Sequence, residues 1–284
     1  MSSLLIQNCN VLHIASDAPI AQVLYGYDVL IRGNRIEAIQ PGGQAHPSHF
    51  DTVIHADGQL LMPGLINTHA HVPMVLFRGL AEDVSIDRWF NDYIWALEAN
   101  LSEEAVYWGA QLGLGEMIRG GVTTVSDHYF HMHHVAEAVE QAGTRAVLAW
   151  AVFGSLGIDA VDTTARFAAD YQGAAGGRIT TMLGPHATYT CDDDFLVATA
   201  KAAQRIGAKV HIHAAETLGQ TQASLAKRGE TPIQVLEKTG VLEAGALVAH
   251  ACGALPQDIE LLAHYNASVA YAIKTHLKLS MGHT

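Results

Sequence analysis

The sequence is poor in cysteine, in positive charge and in long apolar runs, and each shortage closes off a class of protein. Its three cysteines, Cys9, Cys191 and Cys252, are odd in number and far apart, so they outline no disulfide framework. Lys and Arg number 16 against 28 Asp and Glu, a formal net charge of -12 at pH 7. No basic cluster offsets that balance locally, which excludes nucleic acid as a partner, because such binders draw affinity from clustered Lys and Arg. The longest apolar stretch, GALVAHACGAL, is too short to span a bilayer and carries His250. The N-terminal MSSLLIQNCNVLHI lacks the basic start and long apolar core of a signal peptide. A cytoplasmic protein with neither membrane nor nucleic-acid partner is expected. Histidine, by contrast, is abundant, with 17 in 284 residues, and directs attention to metal chemistry.

Residues 1–60 read as short strands with β-branched alternation, separated by turn residues such as Arg32-Gly33-Asn34 and Asp57-Gly58. From residue 61 the rhythm changes to short apolar strands alternating with amphipathic stretches, the pattern of βα repeats. Strand candidates are LMPGLINTHAH, GVTTVSD, TRAVLAW, RITTMLGPHA, AKVHIHAAE, ALVAHACG and ASVAYAIK, seven where a closed barrel needs eight. The fold class expected is therefore α/β, a (β/α)8 TIM-type barrel over 61–284 with part of a small β domain over 1–60.

His69, His71, His186, His213, Glu216 and His250 all fall at or just past the C-terminal ends of these strands. In a parallel barrel those ends converge on one face, so residues distant in sequence meet there. His69-Ala70-His71 puts two imidazoles on one side of an extended strand, a spacing that suits adjacent positions on one Zn²⁺ or Fe²⁺. His213 offers a third ligand, and Glu216, three residues on, is placed to move protons as general acid and base unless it caps the following helix. His250 either ligates the metal or hydrogen-bonds the attacking water, and His186 faces substrate. His211 shares the parity of His213 and reads as a packing or outer residue. The tract His128, His131, His133, His134 falls across a strand–helix junction and reads as solvated helix-start residues. No phosphate-binding loop and no nucleophile elbow is present.

Taken in order, ADGQLLMPGLINTHAH, PMVLFRGLAED, DRWFNDYIWALEANL, GGVTTVSDHYF, GPHATYTCDDDFL, HIHAAET, VAHACGAL and KTHLKLSMG resemble the amidohydrolase superfamily. The resemblance is nearest to its methylthioadenosine/S-adenosylhomocysteine deaminase and triazine chlorohydrolase branch. It implies that His69, His71 and His213 are metal ligands and that Glu216 protonates the ring nitrogen beside the attacked carbon. It gives His250 the orientation of the water, and Trp89, Glu98 and His186 contacts to substrate, with Glu98 accepting from ribose hydroxyls.

The implied reaction is metal-dependent hydrolytic deamination of an adenosine-type nucleoside: methylthioadenosine, S-adenosylhomocysteine or adenosine. Metal-generated hydroxide attacks the purine 6-position and ammonia leaves. One divalent metal is implied, zinc or alternatively iron, and similar enzymes make a homodimer the expected assembly. The same site also admits a triazine chlorohydrolase or aminohydrolase, or a free-base deaminase. The resemblance departs where the family carries an aspartate after the eighth strand, in a Gly-Thr-Asp-Gly-like segment that this sequence lacks. With 60 residues given to the β domain, about 220 remain for a barrel of roughly 250. The sequence thus reads as truncated, lacking the eighth strand and the last strands of a β-sandwich, and a catalytically incompetent fragment is the third reading.

Overall fold

A computed structural model describes residues 2–14, 21–85 and 88–281. The chain divides into two compact units, Met1–Gly64 and Leu65–Thr284.

In the first unit, β1 (Ser3–His13), β2 (Gln22–Arg32), β3 (Arg35–Pro41), β4 (Thr52–His55) and β5 (Leu60–Leu61) form one mixed sheet. The order is β3-β2-β1-β4, with β5 also pairing with β1. The hairpin β2–β3 turns through Gly33, whose φ of 58° lies in the left-handed region that glycine adopts without a Cβ clash. Leu5, Cys9, Val11 and Val29 are buried in this sheet, so Cys9 is a packing residue. The sequence-based boundary after residue 60 falls inside β5, and the pairing of β5 with β1 places Leu60 and Leu61 in this first unit.

The second unit is built on seven parallel strands in sequence order: β6 (Leu65–Ala70), β7 (Val122–Tyr129), β8 (Arg145–Val152), β9 (Ile179–Pro185), β10 (Lys209–Ala214), β11 (Ala246–His250) and β12 (Ser268–Ala270). These are the seven runs read from the sequence. Helices α1 (Glu103–Arg119), α2 (Met132–Ala142), α3 (Asp159–Tyr171), α4 (Asp193–Ile206), α5 (Leu218–Arg228), α6 (Pro232–Lys238), α7 (Pro256–His264) and α8 (Ile273–Lys278) accompany them. Local chemistry sets several helix ends: Ser102 caps α1 through Ala105 N, Asp192 caps α4 through Phe195 N, and Thr231 with Gln234 closes a capping box on α6.

The sheet curves into a near-closed, TIM-barrel-like wall, and one distance demonstrates it. β6 and β11 are five strand spacings apart, roughly 24 Å in a flat sheet at about 4.8 Å per strand. The rings of His69 on β6 and His250 on β11 nevertheless have centroids 5.1 Å apart. Parallel strands covered on both faces bury side chains of both parities, and β10 shows it from Val210 to Ala214. Val210 and Ile212 pack in the outer core with Leu183, Phe195, Leu236 and Val248, while His211 and His213 take the other face of the strand. No helix among the described residues is long and apolar enough to cross a membrane.

Candidate active site

The C-terminal strand ends open into one cavity, and all eight site residues derived from the sequence line it: His69, His71, Trp89, Glu98, His186, His213, Glu216 and His250. Tyr129, Phe130 and Phe153 add aromatic walls. His69 belongs to β6 and His71 follows its last residue; His213 lies on β10, and His250 ends β11. Trp89 stands in a π-helical turn, Trp89–Ile94, that runs on into the short helix Trp95–Glu98 carrying Glu98.

Hydrogen bonds to carbonyl oxygens fix which ring nitrogen of His71 and of His213 carries its proton. His71 Nδ1 lies 2.6 Å from the carbonyl oxygen of His128, and His213 Nδ1 lies 2.8 Å from that of His186. A carbonyl only accepts, so both Nδ1 atoms are protonated donors and both Nε2 atoms carry lone pairs. Those two Nε2 atoms face each other at 3.3 Å. Two lone pairs at that separation repel unless a cation lies between them. A shared proton is disfavoured because burial lowers the pKa of His71 and lowers that of His213 further.

The remaining rings repeat the pattern. His69 Nδ1 meets His211 Nε2 at 2.9 Å, and His211 Nδ1 reaches Ser126 Oγ at 3.3 Å. His69 Nε2 is buried without a hydrogen-bond partner among the described residues. His250 Nδ1 meets His276 Nε2 at 3.0 Å, and His276 Nδ1 lies 3.0 Å from Cys252 Sγ. Each ring is thus held through Nδ1 and offers Nε2, the arrangement by which outer groups orient imidazole ligands. Ligand atoms of His69, His213 and His250 lie within 4.8 Å of one another. Burial pushes His250 down to about 3, with His276 adding to the shift, and holds His69 well below its ordinary value, so the rings remain neutral. The donor set fits one divalent metal of the zinc type.

Glu216 sits just past β10, after Ala215 with a left-handed φ of 47°. Its backbone N–H donates to Gln220 Oε1 and its Oε2 accepts from Gln220 Nε2, both at 3.0 Å. Its other oxygen, Oε1, stands 3.6 Å from His250 Nε2. The helix-capping role that competed for Glu216 belongs to Thr217, whose side chain accepts from Gln220 N. Burial raises the Glu216 carboxyl above the ordinary carboxylate range.

Gly253 fixes this turn from behind. Its N–H donates to Ala215 O at 2.8 Å, and a Cβ there would collide with the backbone carbonyl of Thr217. Gly253→Ala is therefore expected to destabilise the protein by about 1–3 kcal/mol, as overpacking does, and to lower turnover by shifting Thr217 beside Glu216. Thermal melting and kcat measured together check this; wild-type values for both would refute the tight contact.

Glu98 is half-buried, and burial raises its carboxyl to about 7, opposed by the Tyr129 hydroxyl. The two groups are electrostatically coupled, yet Tyr129 Oη closes no hydrogen bond of good geometry and stays unsatisfied. His186 donates from Nδ1 to Thr190 Oγ1 at 2.9 Å, because that hydroxyl is itself committed to Ala187 O, and so keeps Nε2 as an acceptor.

His128 is where the sequence reading needs correction. It is not a solvated helix-start residue: it is 1% exposed on β7, bonds Gly184 O through Nε2 at 3.1 Å and stacks on His211. The signal was present, since His128 ends a strand like the other site histidines, but the tract that follows it masked that signal. His276 and Cys252, which hold His250, and Asp127, whose Oδ1 accepts from Val72 N at 2.8 Å beside His71, were likewise unassigned. These pairings join elements far apart in sequence.

Comparison with known proteins agrees with this geometry. The chain is 39% identical over 285 residues to a 5-methylthioadenosine/S-adenosylhomocysteine deaminase from Caldanaerobacter subterraneus subsp. tengcongensis, covering 99% of this chain and 64% of that protein. It is 40% identical over 263 residues to a 5'-deoxyadenosine deaminase from Methanothermobacter thermautotrophicus, covering 89% and 60%. Among solved structures, an adenosine deaminase from Xanthomonas campestris with bound zinc superposes with a TM-score of 0.86 at 27% identity, over 99% of this chain and 65% of that one. An atrazine chlorohydrolase from Arthrobacter aurescens TC1, at 22% identity and a TM-score of 0.84 over 98% and 67%, shares the fold. The chain thus spans less than two thirds of the length of the curated relatives it matches. The amidohydrolase family profile matches residues 60–282, a span that includes every histidine of the cavity, and the chain belongs to that family.

Proposed function

We propose that the protein is a metal-dependent aminohydrolase of an adenosine-type nucleoside: methylthioadenosine, S-adenosylhomocysteine or adenosine. The observation that carries this is the buried Glu216 carboxyl, fixed by Gln220 and directed at the imidazole cluster that fits a metal. The names of the deaminases it resembles support the nucleoside. His69, His71 and His213 would hold the metal, with His250, whose ligand atom lies within 4.8 Å of those of His69 and His213, presenting Nε2 to the same space. When bound, a divalent cation makes water nucleophilic near neutral pH.

Glu216 keeps its proton to higher pH than an exposed carboxyl and delivers it to the ring nitrogen beside the amino-bearing carbon, which becomes electrophilic. Water adds to that carbon and gives a proton to the Glu216 carboxylate, which passes it to the amino group; the carbon–nitrogen bond then breaks to release ammonia as the new hydroxyl returns a proton to Glu216. His250 Nε2, close to Glu216 Oε1, accepts from the incoming water. His186 contributes an acceptor and Trp89 an aromatic surface to the same cavity.

Glu98 separates a nucleoside from a free base or a triazine, the second reading, because only the nucleoside brings ribose hydroxyls to a carboxylate. With its carboxyl raised to about 7, Glu98 is mostly protonated at pH 6 and mostly ionised at pH 8. Apparent nucleoside affinity should therefore rise roughly tenfold over that interval and then level off. Ammonia release from methylthioadenosine, S-adenosylhomocysteine, adenosine and adenine tests the assignment, and KM measured against pH tests Glu98. Glu98→Gln should flatten the profile and weaken the nucleosides alone. Failure of all three nucleosides as substrates of the zinc-loaded protein would sink the proposal.

We also read the barrel as eight-stranded in the working protein and the first sheet as part of a β-sandwich. Supporting this, Leu65 and Ile66 on β6 and Val269 on β12 are exposed on the two edge strands, where an eighth strand would join.

A further inference from the structure

A second group of metal-binding side chains lies outside the cavity, where α1 and α2 begin. Glu103 is the first residue of α1, and His131, His133 and His134 occupy the cap and first turn of α2. Glu103 Oε2 lies 3.2 Å from His134 Nε2, and Glu103 Oε1 lies 3.5 Å from His131 Nδ1 and 3.9 Å from His133 Nε2. Ligand atoms of Glu103, His133 and His134 lie within 4.8 Å of one another. Tetrahedral zinc at about 2.0–2.1 Å from each ligand sets them roughly 3.3 Å apart, so small side-chain rotations close the site.

We propose that Glu103, His133 and His134, with His131 at their edge, form a second divalent-metal site that takes a transition cation of the zinc type.

Four features make this more than a chance meeting of surface histidines. The donors come from two helices about 30 residues apart, so a metal here ties α1 to α2. His134 has its other ring nitrogen, Nδ1, 3.8 Å from Glu137 Oε2, which places a carboxylate beside the nitrogen that faces away from Glu103. His131 is held in the left-handed region at φ 48°, a conformation a β-carbon disfavours, and this brings its ring to Glu103. Trp150 packs against His133 and His131, with centroids 5.5 and 6.4 Å apart, and limits their rotation. Imidazole and carboxylate donors select zinc, nickel or copper over calcium or magnesium.

The test counts metal rather than turnover. Purified protein is saturated with zinc, freed of loose metal by gel filtration and analysed for zinc per chain. Two equivalents are expected for the wild type and one for a His133→Ala/His134→Ala double variant, with an unchanged circular dichroism spectrum. Glu103→Gln should likewise lose the second equivalent. A wild type that saturates at one overturns the proposal, as does a double variant that still holds two. Thermal melting gives an independent readout: zinc beyond the first equivalent should raise the wild-type Tm and leave that of the double variant unmoved. An equal rise in both would also overturn it.

Discussion

Glu216→Gln should lower kcat about a thousandfold while leaving the zinc content and the melting temperature near their wild-type values. The amide is close to isosteric, and its oxygen can keep the 3.0 Å bond from Gln220 Nε2 that fixes the side chain. What it cannot do is hold and deliver a proton. Positioned proton transfer contributes typically 10²–10⁴-fold to rate, and here one group serves the ring nitrogen and the departing amine. KM should change little, because the substitution removes an interaction made in the transition state and leaves the aromatic walls and Glu98 in place. Steady-state kinetics, with zinc measured on the same sample, decides it. A fall of less than tenfold with metal retained would take Glu216 out of the proton-transfer role.

Much of this site was legible because metal chemistry leaves polar residues where parallel strands otherwise end in apolar ones. His69, His213 and His250 stood out as imidazoles closing runs such as KVHIH and ALVAH, and strand parity separated His213 from the apolar neighbours that face the helices. The seven barrel strands were readable for the same reason, since strands buried on both faces are short and nearly continuous in apolar residues. Helices were less evenly visible. α1, α2, α4 and α6 carry clear apolar stripes or capping signals, whereas α3 (DAVDTTARFAADY) buries only Val161 and Phe167 among alanines and Thr164, and α5 buries Thr221 alone among the described residues.

The groups that hold the cluster were the least legible. His276 with Cys252, Ser126 with His211, and Asp127 with Val72 are contacts between residues 24 to 85 positions apart, and no local pattern encodes them. Glu216 shows the converse. Whether it capped a helix or faced the cavity could not be decided from spacing, and the neighbouring Thr217 settles it by taking the cap.

Removing the metal should cost the protein far more stability than an ordinary surface ligand would, with a fall in Tm of roughly 8–16 °C. That range takes zinc at a thousand times its Kd, worth about 4.1 kcal/mol, at about 2–4 °C per kcal/mol for a domain the size of the barrel unit. The geometry of the donor set shows why a cation is worth so much here. His71 and His213 oppose two lone pairs at 3.3 Å, and His69 Nε2 is buried with no hydrogen-bond partner among the described residues. A buried unsatisfied acceptor costs about 1–3 kcal/mol, and depressed imidazole basicity prevents relief by protonation near neutral pH. His71→Ala removes one of the opposed pair at a half-buried position open to the cavity. It should therefore lose zinc affinity and the zinc-bound Tm, yet melt at or above the wild type once both are metal-free. The measurement is a four-way comparison of Tm, wild type and variant with and without chelator, made in the His133→Ala/His134→Ala background so that only the central site reports. If chelation leaves the wild-type Tm unmoved, or if His71→Ala lowers the metal-free Tm as much as the zinc-bound one, the imidazoles are ordinary packing residues and the metal reading of the cavity falls with them.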